Sequence, residues 1–184
     1  MGLHCVAHTL ELAAHDATKI YKYLEQMEST IKGIFSFYMY YYSPRRKNEV
    51  KAIAEILDVD FARMSEIKQV RWMSSKSRAV SALEQNLKAV AGHLEHNSVS
   101  GTRVADDANR GKGYQRDLKS IKFLKHLYFL HDYLLILTEV SKYFQLEDLL
   151  LIEISDLVEA AVMKLNALKQ KPGKFMTMFS DLYQ

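Results

Sequence analysis

The sequence predicts an all-α protein built as a bundle of long helices. Its 184 residues include only seven Gly and two Pro, whereas 48% are hydrophobic and 26% are charged. So few turn-forming residues argue against a β-sandwich or a β-barrel, and so many apolar residues argue against a disordered chain. Five segments in which apolar residues recur at helical spacing indicate the same fold class.

The first long helix is predicted from a single apolar stripe. Its members recur at alternating spacings of four and three: Ile20, Leu24, Met27, Ile31, Ile34, Tyr38 and Tyr41. We expect the helix to end at Ser43, because Pro44 disfavours helix in the residue before it and suits the first turn of the next helix. A second helix is therefore predicted from about Pro44 to Leu57, followed by an irregular connection over Asp58–Val70.

The middle of the chain predicts a third helix and then a weak stretch. Val80, Leu83 and Leu87 begin a helical pattern that continues to about His96, so the third helix is expected over 74–96. Gly111 and Gly113 follow, and glycine is a poor helix former. We therefore expect a kink or a break there.

The last third of the chain predicts the centre of the bundle and its final helices. Ile121–Phe144 is apolar almost all round a helical wheel, which is typical of a helix surrounded by others. A fifth long helix is predicted to end at Pro172–Gly173, and the tail 174–184 is expected to form one short helix. The apolar face of the fifth helix consists of Leu150, Ile154, Leu157, Ala161, Leu165 and Leu168.

Composition narrows the classes of function. A single Cys excludes a disulfide framework and suits a reducing compartment, so we expect a nuclear or, alternatively, a cytoplasmic protein. No membrane partner is expected, since the most apolar stretch, Leu127–Leu137, carries His131 and Asp132 in its middle. The net charge of +3 is too small to indicate nucleic-acid binding by the chain as a whole.

Two local basic runs stand out from this balance. Arg63–Arg78 holds five Lys or Arg against one acid, and Arg110–Lys125 holds six against one. Such runs could neutralise phosphates, and Trp72 could stack on an unpaired base. The alternative is that Trp72 packs in the core and the lysines form a solvated helix face. The candidate nucleic-acid-binding residues are Arg71, Trp72, Lys76, Arg78, Arg116, Lys119 and Lys122.

Other chemistry has little support in the sequence. Phosphate loops, nucleophile elbows and HExxH motifs are absent, and no small-molecule substrate is evident. His4, His8, Glu11 and His15 would share one face of a helix and resemble a zinc ligand set. Ligands from one straight helix rarely close a tetrahedron, so no metal site and no cofactor is expected.

Two patches resemble motifs of the hAT superfamily of transposases. Residues 5–13 resemble its CxxH motif followed by a short apolar helix, and residues 71–75 resemble its RW segment. Residues 89–97 and 101–113 are similar to the hAT-derived zinc-finger proteins of the zinc finger protein 862-like group. The resemblance therefore covers most of the chain.

The resemblance implies a location within a larger fold. In that family a large helical insertion interrupts an RNase H-like core, and three acidic residues hold Mg²⁺ or Mn²⁺ for DNA strand cleavage. Cys5 and His8 would lie near that active site, and the counterpart of Trp72 is associated with the unpaired base beside the cleavage point. No Asp or Glu in this chain matches the acidic motif, so the metal site is expected to be incomplete and the chain not to be an enzyme.

The expected domain organisation follows from the same resemblance. Residues 1–17 would be a remnant of the RNase H-like core with at most a short strand, and residues 18–184 the helical insertion, together forming one folding unit. We expect a non-catalytic fragment or domesticated descendant of an hAT-type transposase that associates with DNA, a protein partner or a second copy of itself. The alternatives are a piece of a larger DNA-processing enzyme and a purely structural helical scaffold.

Overall fold

The protein is all-α, as predicted. The computed structural model describes residues 6–39, 44–68, 72–99, 105–146 and 151–182, and this part of the chain contains helices and no strand. The helices are α1 (Val6–Lys19), α2 (Lys22–Met39), α3 (Pro44–Ile56), α4 (Trp72–Gln85), α5 (Leu87–Val99), α6 (Ala105–Leu118), α7 (Ile121–Tyr143), α8 (Leu151–Gln170) and α9 (Lys174–Leu182).

Helix α7 is the centre of the bundle, which confirms the prediction from its apolar composition. It packs against α1, α4, α6, α8 and α9. Phe123, Leu127 and Leu134 are among its buried side chains, and His131 and Asp132 are buried with them. A helix with neighbours on several sides buries residues all round its axis, as the sequence pattern of α7 requires.

A second group of helices packs beside this one. Helix α5 packs against both α3 and α6, and α2 contacts α1, α3, α4 and α6. One continuous apolar core extends from Ala14 in α1 to Phe179 in α9. The expected boundary after residue 17 falls inside α1, whose neighbours are α2, α4 and α7.

The predicted third helix is two helices. The break lies at Asn86, where the side chain accepts a hydrogen bond from the backbone N–H of Ala62 at 2.9 Å and donates one to its carbonyl at 2.7 Å. These bonds fix the irregular segment 59–68 to the α4–α5 junction. The break escapes the pattern because the apolar spacing from Leu83 to Val90 continues across it.

The expected break at the two glycines was wrong. Helix α6 runs through Gly111 and Gly113 without interruption. At Gly111 an added Cβ would lie 3.8 Å from side chains of Leu94 and Phe37, so this glycine lies where α6 packs against its neighbours. Packing of α6 against α5 outweighs the roughly 1 kcal/mol by which each glycine disfavours helix.

The start of the first stripe also differs from the prediction. Helix α2 begins at Lys22, and Ile20 in the α1–α2 turn is 76% exposed. The remaining described members of the stripe contribute to the core, with Met27, Ile31, Ile34 and Tyr38 fully buried and Leu24 partly so. Tyr41 lies outside the described residues.

Helices α3, α8 and α9 lie where the sequence predicts them. The segment after α3 is irregular from Val59 to Lys68, also as predicted. The expected face of α8 does pack inward, but only Ala161 is fully buried. Helix α8 contacts the rest of the bundle chiefly through α7 and leaves Ile152 and Met163 more than 70% exposed.

Candidate functional site

Two of the candidate nucleic-acid-binding residues lie in the protein interior. Trp72 is 4% exposed and Lys76 is 1% exposed, both on the inward face of α4. The Lys76 ammonium lies 4.4 Å from the centre of the Trp72 indole ring. A stacking residue must present its ring face to an unpaired base, and a buried indole does not. The structure therefore places Trp72 in the core, which was the alternative.

Glu28 explains why a lysine is buried at this point. Its carboxylate accepts hydrogen bonds from Trp72 Nε1 at 3.2 Å and Lys76 Nζ at 2.9 Å, and it forms an ion pair with Lys32 at 2.7 Å. Burial by itself would raise the pKa of Glu28, but the hydrogen bonds from Lys32 and Lys76 outweigh it and lower the pKa. Burial lowers the pKa of Lys76, and Glu28 opposes that shift only in part.

This cluster ties α1, α2 and α4 together. Glu28 belongs to α2, Trp72 and Lys76 belong to α4, and the imidazole of His15 in α1 packs edge-on against the Trp72 ring at 5.1 Å. A buried cation is tolerated only when it is paired and hydrogen-bonded, as Lys76 is here. The spacing of the RW segment thus serves the packing of three helices.

Arg78, in contrast, is exposed and faces an open groove. The groove lies between the irregular segment 62–66, α4 and α7, and encloses about 750 Å³. Arg63 and Arg78 both line it, both are exposed, and neither has a hydrogen bond or an ion pair to another described residue. The first basic run therefore supplies two exposed guanidinium groups to one surface, with Glu66 the acid beside them.

His131 forms part of the floor of this groove. It is 6% exposed, stacks on the Phe175 ring at 3.5 Å, and its Nδ1 has no hydrogen-bond partner. Burial lowers the pKa of His131 to about 4; Asp132 opposes the shift and Lys174 adds to it. A buried polar nitrogen without a partner carries a free-energy penalty of about 1–3 kcal/mol. The groove thus contains a neutral imidazole with unused hydrogen-bonding capacity.

Asp132 holds the other side of this region in place. Its carboxylate accepts hydrogen bonds from the backbone N–H groups of Phe175 at 3.0 Å and Met176 at 2.9 Å, so it caps the N-terminus of α9. Gly173 permits the close approach, because a Cβ at that position would collide with the Asp132 carboxylate. The cap keeps Phe175 against His131.

The second basic run forms the corner between α6 and α7. Arg116 is 85% exposed, and Lys119, with a half-exposed side chain, pairs with Glu95 at 2.9 Å. Lys122 is exposed, and its ammonium lies 4.2 Å from the centre of the Tyr23 ring. Lys125 is exposed as well, one helical turn further along α7. The corner is therefore basic, and each cation named here lies at the protein surface.

The two basic runs do not form one surface. Lys122 and His131 are nine residues apart on α7, which is about two and a half turns, so they lie on opposite faces of the helix. Along the axis the same separation is about 13 Å. The groove that contains Arg78 and the corner that contains Lys122 are separate sites.

The remaining candidate residues are not brought together by the described structure. Arg71 and Cys5 lie outside the described residues. His8 is exposed on α1, and His15 is engaged by Trp72. Within the described ranges, no three His, Cys, Asp or Glu side chains converge in a way that could hold a metal ion. These residues do not fit the divalent metal site that the family resemblance implies.

One polar network escaped the sequence interpretation. Tyr38 and His93, both fully buried, share a hydrogen bond of 2.9 Å between the phenol oxygen and Nδ1. The opposite nitrogen, Nε2, contacts the Glu49 carboxylate at 3.0 Å, and Arg45 pairs with the same carboxylate at 2.7 Å. Tyr38 already lies on the predicted apolar stripe, but its polar partner on α5 is distant in sequence. The network joins α2, α3 and α5.

Comparisons with family models and with solved structures find no match for this chain. The function of its surfaces is therefore argued from their geometry. None of the described helices combines the length and the apolar content that crossing a membrane requires.

Proposed function

We propose that this chain is a non-catalytic helical module, derived from an hAT-type transposase, that associates with nucleic acid through the α6–α7 corner. The observation that carries the proposal is the exposure of Arg116, Lys119, Lys122 and Lys125 at that corner. Residues 110–125 hold six cations and one acid in a chain whose overall charge is only +3. Phosphate contacts supply most of the affinity in non-specific nucleic-acid binding.

The local geometry favours contact with a phosphate backbone. The helix α7 begins at this corner, and its positive N-terminal end adds to the charge of the lysines. Lys119 and Lys122 both flank that end, and their ammonium groups are held by Glu95 and Tyr23 at the surface. An exposed ion pair such as Lys119–Glu95 contributes only about 0–1 kcal/mol, so it does not keep Lys119 from a phosphate.

The proposal is tested by the salt dependence of DNA binding. Fluorescence anisotropy with a labelled duplex should show weak binding whose affinity falls as salt increases. Each lost phosphate contact reduces the log–log slope by about 0.9, so Lys119→Gln together with Lys122→Gln should flatten it by about two units if both touch phosphate. Supercoiled DNA incubated with the protein and Mg²⁺ should remain intact, since the module is non-catalytic.

A charge-matched control is available on α8. Lys169→Gln with Lys171→Gln removes two exposed cations near the end of that helix, away from the corner. The control variant should keep the wild-type slope. An equal loss in both double variants would show that net charge alone governs binding, and no measurable binding at about 50 mM salt would end the proposal.

Protein interaction is the second candidate function, and α8 favours it. Ile152 and Met163 are 74% and 73% exposed there, on the side of the helix opposite Ala161. Association through such an apolar surface would be insensitive to salt, which separates it from binding through the corner. Sedimentation at low and high salt, repeated with Met163→Gln, discriminates the two functions.

A further inference from the structure

The groove beside His131 has the size and the lining of a small-ligand site. It encloses about 750 Å³, within the range of about 300 to 1,000 Å³ that is usual for ligand pockets. Three separate parts of the chain form it: the segment 62–66, the outer face of α4, and α7. The Asn86 bonds to Ala62 and the Asp132 cap on α9 hold two of its borders in fixed positions.

One end of the groove offers donors for an anion. The guanidinium groups of Arg63 and Arg78 are exposed and unpaired among the described residues, and Ser77 and Ser81 lie beside Arg78 on α4. Residues four apart on a helix share a face, so the two hydroxyls point the same way. Arginine with hydroxyl donors is the usual protein partner of a phosphate group.

The rest of the groove offers a surface for a flat, partly apolar body. Phe35 and Leu135 line it, and Leu135 is half exposed although it is apolar. His131 is held flat against Phe175, and its Nδ1 has no partner. The Gln85 amide donates to Ser81 at 3.3 Å, which leaves its carbonyl oxygen to accept a hydrogen bond.

From this arrangement we propose that the groove binds a nucleoside monophosphate unit, with the phosphate on Arg63 and Arg78 and the base against Phe35, Leu135 and His131. Phosphate alone would leave the apolar wall unused, and a nucleoside alone would leave both arginines unpaired. The unit belongs either to a free mononucleotide or to the end of a single strand. The site is separate from the α6–α7 corner and does not depend on it.

The experiment is a calorimetric titration of the full chain with adenosine 5′-monophosphate, adenosine and inorganic phosphate. The monophosphate should bind, and the other two probes should bind at least about tenfold more weakly, because each uses only part of the groove. Arg63→Gln and Arg78→Gln should each weaken monophosphate binding about tenfold. Lys88→Gln, which removes an exposed cation outside the groove, is the matched control and should change nothing.

Further arms guard the interpretation. The helical circular dichroism of each variant shows that it folds, and Ser81→Phe should abolish binding by filling the groove. A 5′-phosphorylated adenine trinucleotide that binds more tightly than the monophosphate identifies a strand end as the source; equal or weaker binding identifies the free nucleotide. No binding at about 5 mM monophosphate, equal affinity for phosphate, or indifference to both arginine variants would overturn the proposal. Lys119→Gln with Lys122→Gln should leave this binding unchanged, so failure of the corner and failure of the groove are distinguishable.

Discussion

At the scale of single residues, burial decides roles that the sequence leaves open. The sequence places Trp72 next to Arg71 in a basic run, and that spacing suits either a stacking residue or a core residue. Glu28 decides between them, because it accepts hydrogen bonds from both Trp72 and Lys76 inside the bundle. No local pattern predicts this, since Glu28 lies 44 residues before Trp72.

The buried imidazole of His131 predicts a pH dependence of stability. The pKa of His131 is about 4 in the folded protein, because burial disfavours the charged form, against an ordinary value of 6.5. Between these values the unfolded chain binds a proton that the folded protein does not, so stability is lost as pH falls from about 6.5 towards 4. From pH 7 to pH 5 we expect the free energy of unfolding to fall by about 2 kcal/mol through this residue.

Urea unfolding of the wild type and of His131→Gln at pH 7 and pH 5 measures this effect. The variant lacks the titrating group, so its stability should fall by about 2 kcal/mol less over the same interval. Glu28 does not interfere, because a carboxyl whose pKa is lowered loses its contribution only at more acidic pH. Equal losses in the two proteins would contradict the prediction.

At the scale of elements, periodicity locates helices well and their breaks poorly. The apolar spacing continues through Asn86, so the sequence predicts one helix where two exist. Gly111 and Gly113 suggest a break, but the packing of α6 against α5 keeps the helix intact. Breaks depend on distant partners such as the Ala62 backbone, and a local pattern contains no information about these.

The end of α3 predicts a stabilising substitution. Asp58 has a φ of 52°, in the left-handed region, and the N–H groups of Val59 and Asp58 bond to the carbonyls of Ala54 and Glu55. This is the helix end that glycine normally occupies. Asp58→Gly should raise the free energy of unfolding by about 0.5–1 kcal/mol, because relief of the backbone strain outweighs the extra flexibility of the unfolded chain.

Thermal or urea denaturation measures the effect, with Asp58→Val as the contrasting variant. A β-branched residue in the left-handed region is strained, so this change should destabilise the protein. If glycine and valine shifted stability in the same direction, the strain at this position would not be the cause.

At the scale of the whole molecule, charge counts predict that basic runs exist but not where they meet. The two runs occupy opposite faces of α7, a fact that follows from helix packing rather than from composition. The all-α bundle and its central helix were predictable, because the periodicity and apolar content of Ile121–Phe144 are local properties. The groove was not, since its lining comes from α2, α4, α7 and the segment 62–66.

The position of Trp72 predicts that the described bundle unfolds as one unit. Trp72 is the single tryptophan of the chain, and it lies where α1, α2 and α4 meet, in contact with His15 and Glu28. Its fluorescence therefore reports on the junction between the N-terminal helix and the rest, whereas far-ultraviolet circular dichroism reports on all helices together. Because α1 packs on α2, α4 and α7, separate unfolding of residues 6–17 would expose part of the shared core.

We expect the two signals to follow a single, coincident transition in urea, which is the usual test of two-state unfolding. Ala14→Gly should shift both transitions together, by about 1 kcal/mol or more, because it removes a buried methyl group and introduces a poor helix former in α1. A fluorescence change that preceded the loss of helix would mean that α1 detaches first. In that case residues 6–17 would be a separate unit, as a remnant of another domain could be, and the single folding unit would be wrong.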